Sequence, residues 1–253
     1  MSPNTTRLAG RTALVTGSTG GLGAAFATAL AEHGAFVIVT GRDAARGRGI
    51  VDRIESGGGS AAFVAADLGA GAHVRRLADE ATASAGGRID ILVNNAAMLI
   101  TPTPTADVPE QLVRDAFAVN VSAAFLLTGV IAPTMAEHGA GSIINIGSIN
   151  GLIGMGGSAL YSASKAAIHS LTKSWADEYG PRGVRVNTVA PGPSLTERNA
   201  QFAEHLAPLL ARVPSRRAST LSEVAAAVVF LASDDAANIT GATLSVDGGW
   251  SAV

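Results

Sequence analysis

Residues 12–23 read T-A-L-V-T-G-S-T-G-G-L-G. A short β-branched run passes into a turn with glycines at positions 17, 21 and 23, and an alanine-rich helical pattern follows from Leu22 to His33. Glycine permits a tight turn, and the first turn of a helix leaves backbone N–H groups without intrahelical partners. The stretch therefore predicts a strand, a glycine turn and a helix, the opening unit of an α/β fold.

The same alternation continues to the C-terminus. The predicted strands are Thr12–Thr16, Ala35–Thr40, Ala61–Ala65, Ile89–Asn94, Ser142–Gly147, Arg185–Val189 and Thr243–Val246. After the first helix, the predicted helices are Ala44–Ser56, Ala72–Ala85, Pro109–Glu137, Leu160–Tyr179 and Leu221–Ala232. Parallel strands need such crossover helices. We therefore expect residues 1–253 to form one α/β domain of the Rossmann type, a doubly wound, seven-stranded parallel sheet flanked by helices on both faces.

One segment interrupts this alternation. Residues 191–214 form a helical insertion bounded by prolines, and it follows a predicted sheet strand. An insertion at such a place can act as a substrate-binding lid. An ordinary surface excursion would look the same, so both interpretations stay open.

Composition narrows the classes of function. Of the 253 residues, 47% are hydrophobic and 15% charged, with a formal net charge of −2, so a large core is available and a scaffold for nucleic acid is not expected. The absence of cysteine excludes disulfides and thiolate catalysis, and the five dispersed histidines do not suggest a catalytic metal. The N-terminus lacks the apolar core of a signal peptide, and no apolar run approaches the ~20 residues that span a bilayer. We expect a cytoplasmic protein with no membrane partner.

The glycine turn lies where a dinucleotide-binding turn belongs. Backbone N–H groups at a helix N-terminus favour a pyrophosphate, and glycines let it approach closely. The spacing is G-x-x-x-G-x-G rather than the commoner G-x-G-x-x-G. A mobile turn is the alternative, but the position after the first strand favours a cofactor.

Y-S-A-S-K places Tyr161 and Lys165 on one helix face. An unperturbed tyrosine has a pKa near 10 and is a poor base at neutral pH. A nearby ammonium, together with a cationic nicotinamide, favours the phenolate and is expected to lower that pKa. A packed tyrosine beside a solvated lysine is the alternative.

Two more polar residues stand out. Ser148 ends the strand before Tyr161, where its hydroxyl can bind a substrate carbonyl or cap local backbone. A serine hydrolase is disfavoured because G-x-S-x-G is absent around Ser148. Asn120 lies within a helical pattern despite a mediocre helix propensity, which suits either a water-holding role or satisfaction of buried backbone groups.

In this order and spacing the motifs resemble the short-chain dehydrogenase/reductase family, over essentially the whole chain. The family's catalytic tetrad corresponds to Asn120, Ser148, Tyr161 and Lys165. The cofactor-binding residues we predict are Gly17, Ser18, Thr19, Gly21, Leu22, Gly23, Arg42, Asp67, Leu68, Asn94, Ala96, Tyr161, Lys165, Pro191, Gly192 and Thr196. Asp247-Gly248-Gly249 matches a C-terminal motif often near a subunit interface. Ala97 departs from the family's N-N-A-G, at a small cost if that backbone needs a positive φ.

The resemblance implies a mechanism and an assembly. Tyr161 exchanges a proton with the substrate oxygen and Ser148 polarises that oxygen, while Lys165 holds the nicotinamide ribose and Asn120 supports a water-linked proton path. Hydride passes directly between nicotinamide and substrate carbon. Many relatives are tetramers, so a homo-oligomer is implied. A cofactor-binding homologue without turnover is a second interpretation, disfavoured by the complete tetrad. A sugar-nucleotide epimerase is a third, disfavoured by the glycine spacing.

The end of the second predicted strand bears on cofactor choice. A carboxylate there accepts from the ribose 2′-OH of NAD and repels a 2′-phosphate. The corresponding residue is Gly41, and Arg42 follows with donors suited to a phosphate. We predict that NADP(H) is preferred, with NAD(H) possible if Asp43 reaches the ribose.

The substrate is the least determined feature. By analogy with the family, we expect Ser148, Asn150, Met155 and Tyr161 to contact it, and the mostly apolar residues around them favour a hydrophobic carbonyl compound. Arg198 and Arg212 also permit an acidic substrate, so sugar acids and 3-oxoacyl thioesters stay open. The sequence predicts an oxidoreductase that interconverts a secondary alcohol and a ketone.

Overall fold

The computed structural model describes residues 6–196 and 203–253 and contains a parallel sheet of order β3-β2-β1-β4-β5-β6-β7. The strands are β1 Thr12–Val15, β2 Phe36–Gly41, β3 Ser60–Ala65, β4 Ile91–Asn94, β5 Gly141–Ile146, β6 Val184–Pro191 and β7 Thr243–Val246. The α-helices are α1 Gly21–Glu32, α2 Ala44–Ser56, α3 Gly71–Ser84, α4 Glu110–Phe117, α5 Ala123–Glu137, α6 Ala159–Tyr179, α7 Ala203–Leu210 and α8 Leu221–Ala232. Single-turn 3-10 helices lie at Thr105–Asp107, Ile149–Gly151, Gly180–Arg182, Asp234–Ala236 and Trp250–Ala252. The predicted fold class is confirmed.

Both faces of the sheet are buried. In β1, Ala13 and Val15 face a core made with α1, α2 and α8, whereas Leu14 faces a second core made with α3, α5 and α6. Successive strand residues point to opposite faces, so a strand covered on both sides is apolar throughout. This explains why the strands were visible as continuous apolar runs.

The long predicted helix Pro109–Glu137 is continuous but not uniform. A π-helical turn, Ala118–Ser122, joins α4 to α5. Within the described residues, Glu110–Glu137 is also one helix long and apolar enough to cross a membrane, which the sequence analysis did not anticipate. Core helices meet the same criterion, and Leu127 and Ile131 of this helix are buried in the second core. We interpret it as a core helix.

Sheet topology determines where functional groups meet. Strand order changes direction between β1 and β4, and the carboxyl ends of parallel strands share one edge. The glycine turn leaves β1 there, Arg42 follows β2, Asn95 follows β4 and Ser148 follows β5. Residues distant in sequence are thereby collected at one edge.

Candidate active site

A cleft of about 1000 Å³ opens at this edge. The predicted site residues that line it are Gly17, Thr19, Gly21, Leu22, Gly23, Arg42, Asp67, Leu68, Ala96, Ser148, Tyr161, Lys165, Pro191, Gly192 and Thr196. Those that do not line it are Ser18, Asn94, Asn120, Asn150 and Met155. Most of the predicted site is therefore brought together, and the five exceptions each have a structural reason.

The glycine turn is shaped by close backbone contacts. Gly17 has φ +64°, and a Cβ there would lie 2.9 Å from Cα of Ala96. A Cβ on Gly23 would collide with the carbonyl of Gly17. Gly20 caps α1 without a side-chain hydrogen bond, so the helix N-terminus is presented to the cleft as bare backbone. Such an array of N–H groups fits a pyrophosphate.

Ser18 is turned away from the cleft. Its hydroxyl donates to the carbonyl of Val15 (2.7 Å) and accepts from the N–H of Thr40 (2.9 Å), and its own N–H donates to the carbonyl of Thr40 (2.9 Å). The side chain is fully buried. The side chain of Ser18 therefore connects the glycine turn to β2 and does not line the cleft, so its predicted contact with a cofactor stays a prediction.

The two adjacent asparagines have separate roles. Asn94, the last residue of β4, is buried and its amide donates to Asn145 (2.9 Å) and Thr128 (3.2 Å), beneath the cleft. Asn95 lines the cleft and donates to the carbonyls of Thr16 (2.8 Å) and Gly17 (3.2 Å). Asn95, which was not among the predicted site residues, therefore lines the cleft in place of Asn94, and the cofactor contact of Asn94 stays a prediction. The alternation of side chains along a strand was the available signal.

Ala97 carries no backbone strain. Among the described residues, the non-glycine residue with a positive φ is Arg216. The turn after β4 therefore accepts alanine without the cost considered above.

Ser148 and Tyr161 meet across the cleft wall. Ser148 is 8% exposed, and its side chain lines the cleft together with that of Tyr161. Burial raises the pKa of Tyr161, and the hydrogen bond from Ser148 lowers it by less, so the net shift is upward. The net shift is opposite to the lowering predicted from Lys165, because desolvation of the phenol dominates.

Lys165 is held beneath the same wall. Its ammonium donates to the carbonyl of Ile146 (2.8 Å) and lies 5.8 Å from the ring centroid of Tyr161. Burial lowers its pKa to about 8, so the group is still largely charged at pH 7. The side chain of Lys165 therefore places a positive charge next to the phenol of Tyr161, in the lining of the cleft.

Asn120 lies in the π-helical turn, behind the cleft rather than in its wall. Its carbonyl oxygen accepts from the N–H of Met98 (2.6 Å), and its amide donates to Ser164 (3.1 Å). A small cavity of about 10 Å³ lies between Asn120 and Lys165. That volume is at the lower limit for one water molecule.

The end of β2 carries two arginines into the cleft. Arg42 was predicted, whereas Arg46 from the first turn of α2 was not. The guanidinium of Arg46 lies against Gly20, since a Cβ on that glycine would collide with Nη2. Its spacing of four residues from Arg42 across a helix start was the missed signal.

Thr19 occupies the space beside Gly41. A Cβ on Gly41 would lie 2.6 Å from Cγ2 and 2.9 Å from Oγ1 of Thr19. Asp43 does not line the cleft: it caps α2 and accepts from the N–H of Arg46 (3.0 Å). Thr19 therefore leaves little room for a side chain at position 41. The hydrogen bond to Arg46 holds Asp43 at the helix start and away from the cleft.

The predicted substrate side is partly displaced. Met155 packs against the apolar cluster of Ile149, Val213 and Trp250 instead of lining the cleft, and Asn150 lies in the 3-10 turn beyond Ser148. Met98, Leu99 and Pro193 line the cleft instead. Arg212 stacks over Trp250 at 5.8 Å, and Arg198, within the predicted lid 191–214, lies outside the described residues.

The C-terminal motif anchors both ends of the 191–214 segment. Gly192 donates its N–H to Val246 (3.0 Å), and Ser215 donates to the carbonyl of Gly248 (3.0 Å). Asp247 accepts from the N–H groups of Gly249 (2.9 Å) and Ser251 (2.7 Å). Burial alone would raise the pKa of Asp247, but these hydrogen bonds lower it by more, so the net shift is downward.

Comparisons with known proteins agree with this geometry. A family model described as enoyl-(acyl carrier protein) reductase matches residues 17–251. The 3-oxoacyl-[acyl-carrier-protein] reductase of Vibrio cholerae is 40% identical over 244 residues, covering 96% of this chain and 98% of that protein. D-threitol dehydrogenase of Mycolicibacterium smegmatis is 37% identical over 246 residues, covering 96% and 94%.

A solved structure shows the same architecture with a ligand. The gluconate 5-dehydrogenase of Burkholderia cenocepacia, in complex with NADP and tartrate, superposes with a TM-score of 0.92 at 33% identity, covering 99% of this chain and 98% of that one. Fold, cleft and sequence relatives lead to one assignment: the chain belongs to the short-chain dehydrogenase/reductase family of nicotinamide-dependent oxidoreductases.

Proposed function

We propose that this protein is an NADP(H)-preferring oxidoreductase that interconverts a secondary alcohol and a ketone, with Tyr161 as general acid and base. The observation that carries the proposal is that Ser148 and Tyr161 line the same cleft, with the buried ammonium of Lys165 5.8 Å from the tyrosine ring centroid. A hydroxyl pair of this kind can bind one substrate oxygen from two sides.

The residues present fit a dinucleotide. The glycine turn and the bare N-terminus of α1 suit the pyrophosphate, while Asp67, Leu68 and Ala96 line the wall between β1, β3 and β4. When bound, a nicotinamide would supply hydride exchange with the substrate carbon. Thr196 faces the glycine turn across the cleft, with its methyl group 3.8 Å from a Cβ placed on Gly21, so the start of 191–214 can close over that ring.

The proton path is built from this chain's own groups. In reduction, Tyr161 donates its phenolic proton to the substrate oxygen while Ser148 donates a hydrogen bond to it. Lys165 stabilises the phenolate that results, because a cation nearby favours the charged form. Asn120 and Lys165 line the small cavity, where a water would link the site to the interior. In oxidation the same steps run in reverse.

The preference for NADP(H) rests on charge and space at the end of β2. Arg42 and Arg46 offer guanidinium donors for a 2′-phosphate, and no carboxylate from position 41 or 43 reaches the described cleft lining. The relative crystallised with NADP supports the same cofactor class.

For the substrate we propose a small or medium carbonyl compound with an apolar body. Met98, Leu99 and Pro193 provide the apolar wall beside Ser148 and Tyr161. A sugar-acid substrate has support from the gluconate 5-dehydrogenase likeness. Arg212, however, is engaged with Trp250 away from the described cleft lining. A homo-oligomeric state and a cytoplasmic location remain predictions.

The proposal is tested by steady-state kinetics on the purified protein. Aliphatic ketones, cyclic ketones, a keto-sugar acid and a 3-oxoacyl thioester are each assayed with NADPH and NADH by nicotinamide absorbance. We expect turnover of a ketone, with kcat/KM at least about tenfold higher for NADPH, given charge-assisted hydrogen bonds to one phosphate. Tight NADPH binding without turnover of any compound would favour a non-catalytic homologue, and a preference for NADH would refute the role of the arginines.

A further inference from the structure

One buried histidine touches the site without lining the cleft. His169 lies one helical turn beyond Lys165 on α6 and is 6% exposed. Its Nε2 is 3.0 Å from the carbonyl oxygen of Ser148, and its Nδ1 is 3.3 Å from Oγ1 of Thr243 at the start of β7. The mechanism above does not use this residue.

The loop that carries Ser148, residues 147–151, packs closely against the imidazole ring of His169. A Cβ on Gly147 would lie 2.7 Å from Cε1 of His169, and a Cβ on Gly151 would lie 2.6 Å from Cδ2. These glycines flank Ser148, so the loop contacts the ring on both sides of that residue. Neither glycine has a positive φ, so close packing is the structural reason for glycine at both positions. The ring supplies part of it, together with Thr188 beside Gly147 and the backbone of α6 beside Gly151.

The hydrogen bonds define the state of the ring. A carbonyl oxygen only accepts, so Nε2 must carry a proton, and in the neutral ring Nδ1 accepts from the hydroxyl of Thr243. Burial and the charges of Lys165 and Lys173 lower the pKa of His169, while the hydrogen bond to Ser148 raises it by less. The ring is therefore neutral at pH 7, and both of its nitrogens are used.

Ser148 is thereby held at both ends of the residue. Its carbonyl accepts a hydrogen bond from His169, and its hydroxyl accepts from the N–H of Asn150 (3.2 Å). A shift of the carbonyl would move the hydroxyl that must meet the substrate oxygen. We propose that His169 is a positioning residue that locks the Ser148 loop through its Nε2–H bond and is itself oriented by Thr243. The inference rests on the proposed function for its kinetic readout.

The test compares two variants of His169 with a matched control on the same helix. His169→Leu removes both hydrogen bonds, whereas His169→Gln keeps an amide donor and an acceptor. Trp175→Phe perturbs a buried side chain of α6 in the second core, away from the loop. We expect kcat for ketone reduction with NADPH to fall roughly ten- to hundredfold in His169→Leu, because small misplacements of a reacting group are costly.

The remaining readouts separate positioning from general damage. His169→Gln is expected to recover kcat to within about fivefold of wild type, and Trp175→Phe to change it less than about twofold. The dissociation constant for NADPH, measured by fluorescence, is expected to stay within about twofold in all three, since the ring does not line the cofactor wall.

Equal losses in the leucine and glutamine variants, or unchanged kcat in a folded His169→Leu, would overturn the proposal. If His169→Leu does not fold, Thr243→Val removes the orienting hydroxyl, and unchanged kcat in that variant counts against the proposal.

A measurement independent of turnover distinguishes this inference from the proposed function. In ¹⁵N-histidine NMR of the wild-type protein at pH 7, we expect His169 to carry its proton on Nε2 alone. A proton on Nδ1, or on both nitrogens, would refute the inference even in an active enzyme. Inactive wild-type protein with the Nε2–H tautomer would refute the proposed function and leave the His169 contact supported.

Discussion

The two ends of the cleft are built in opposite ways. At the reaction end Ser148, Lys165 and His169 are 8%, 3% and 6% exposed, and each is fixed by hydrogen bonds to backbone carbonyls or N–H groups. At the end of β2, Arg42 and Arg46 are exposed, and the decisive feature is an absence of side chain at Gly41. Proton transfer needs geometry fixed to a fraction of an ångström, which burial provides. Discrimination between two cofactors needs only charge and space.

The largest loss of activity is expected from removal of the phenolic hydroxyl of Tyr161. Tyr161→Phe keeps the ring but leaves no group to exchange a proton with the substrate oxygen. We expect kcat for ketone reduction to fall roughly 100- to 10,000-fold, the usual worth of a general acid or base. Steady-state kinetics at saturating NADPH measures this loss.

Cofactor binding provides the internal control for that variant. The glycine turn and the two arginines are untouched, so the dissociation constant for NADPH in Tyr161→Phe is expected to stay within about threefold. Tyr179→Phe, a change at the remaining tyrosine, is expected to leave kcat close to wild type. Near wild-type turnover in Tyr161→Phe would remove this residue from the mechanism.

The same contrast explains what could be predicted from sequence. The strands and helices were located because both faces of the sheet are buried and their apolar periodicity is strong. Ser148, Tyr161 and Lys165 were found because strand ends and i, i+4 spacing fix direction. That Ser18 and Asn94 do not line the cleft could not be predicted, because a motif gives position along the chain, whereas the direction of a side chain depends on its tertiary hydrogen bonds.

Other features needed the folded chain. Arg46 enters the cleft because Asp43 starts α2 at one particular residue, and a helix start is not fixed to within a turn by composition. His169 contacts Ser148, which lies 21 positions earlier in the sequence. Packing of this kind leaves no local pattern.

Inverting the cofactor preference is expected to need two changes. Gly41→Asp alone forces its Cβ against Thr19, which is β-branched and stiff, so the turn must shift. We expect kcat/KM with NADPH to fall at least about tenfold, with little gain for NADH. Thr19→Ala with Gly41→Asp removes Cγ2 and Oγ1 and makes room for the carboxylate.

The double variant is the sharper measurement. A carboxylate at position 41 can accept from the ribose 2′-OH and repel a 2′-phosphate, so NADH is expected to become the better cofactor by roughly tenfold. Thr19→Ala alone is the control and is expected to keep the preference for NADPH. Equal behaviour of Gly41→Asp with and without Thr19→Ala would show that Thr19 does not restrict this position.

The smallest effect on kinetics is expected from substitutions of Asp43. This residue could act as the cap of α2 or as a ligand of the ribose, and the two roles predict different results. As the cap of α2, Asp43 accepts from the N–H of Arg46, and asparagine caps a helix about equally well. Asp43→Asn is therefore expected to leave kcat/KM with NADH unchanged within about twofold.

Asp43→Ala loses the cap, which costs about 1 kcal/mol of stability and frees the first turn that carries Arg46. Its KM for NADPH should rise while Asp43→Asn stays near wild type. A selective loss of NADH efficiency in Asp43→Asn would instead make this carboxylate a ribose ligand, and the exposed end of the cleft would then hold two competing selectors rather than one.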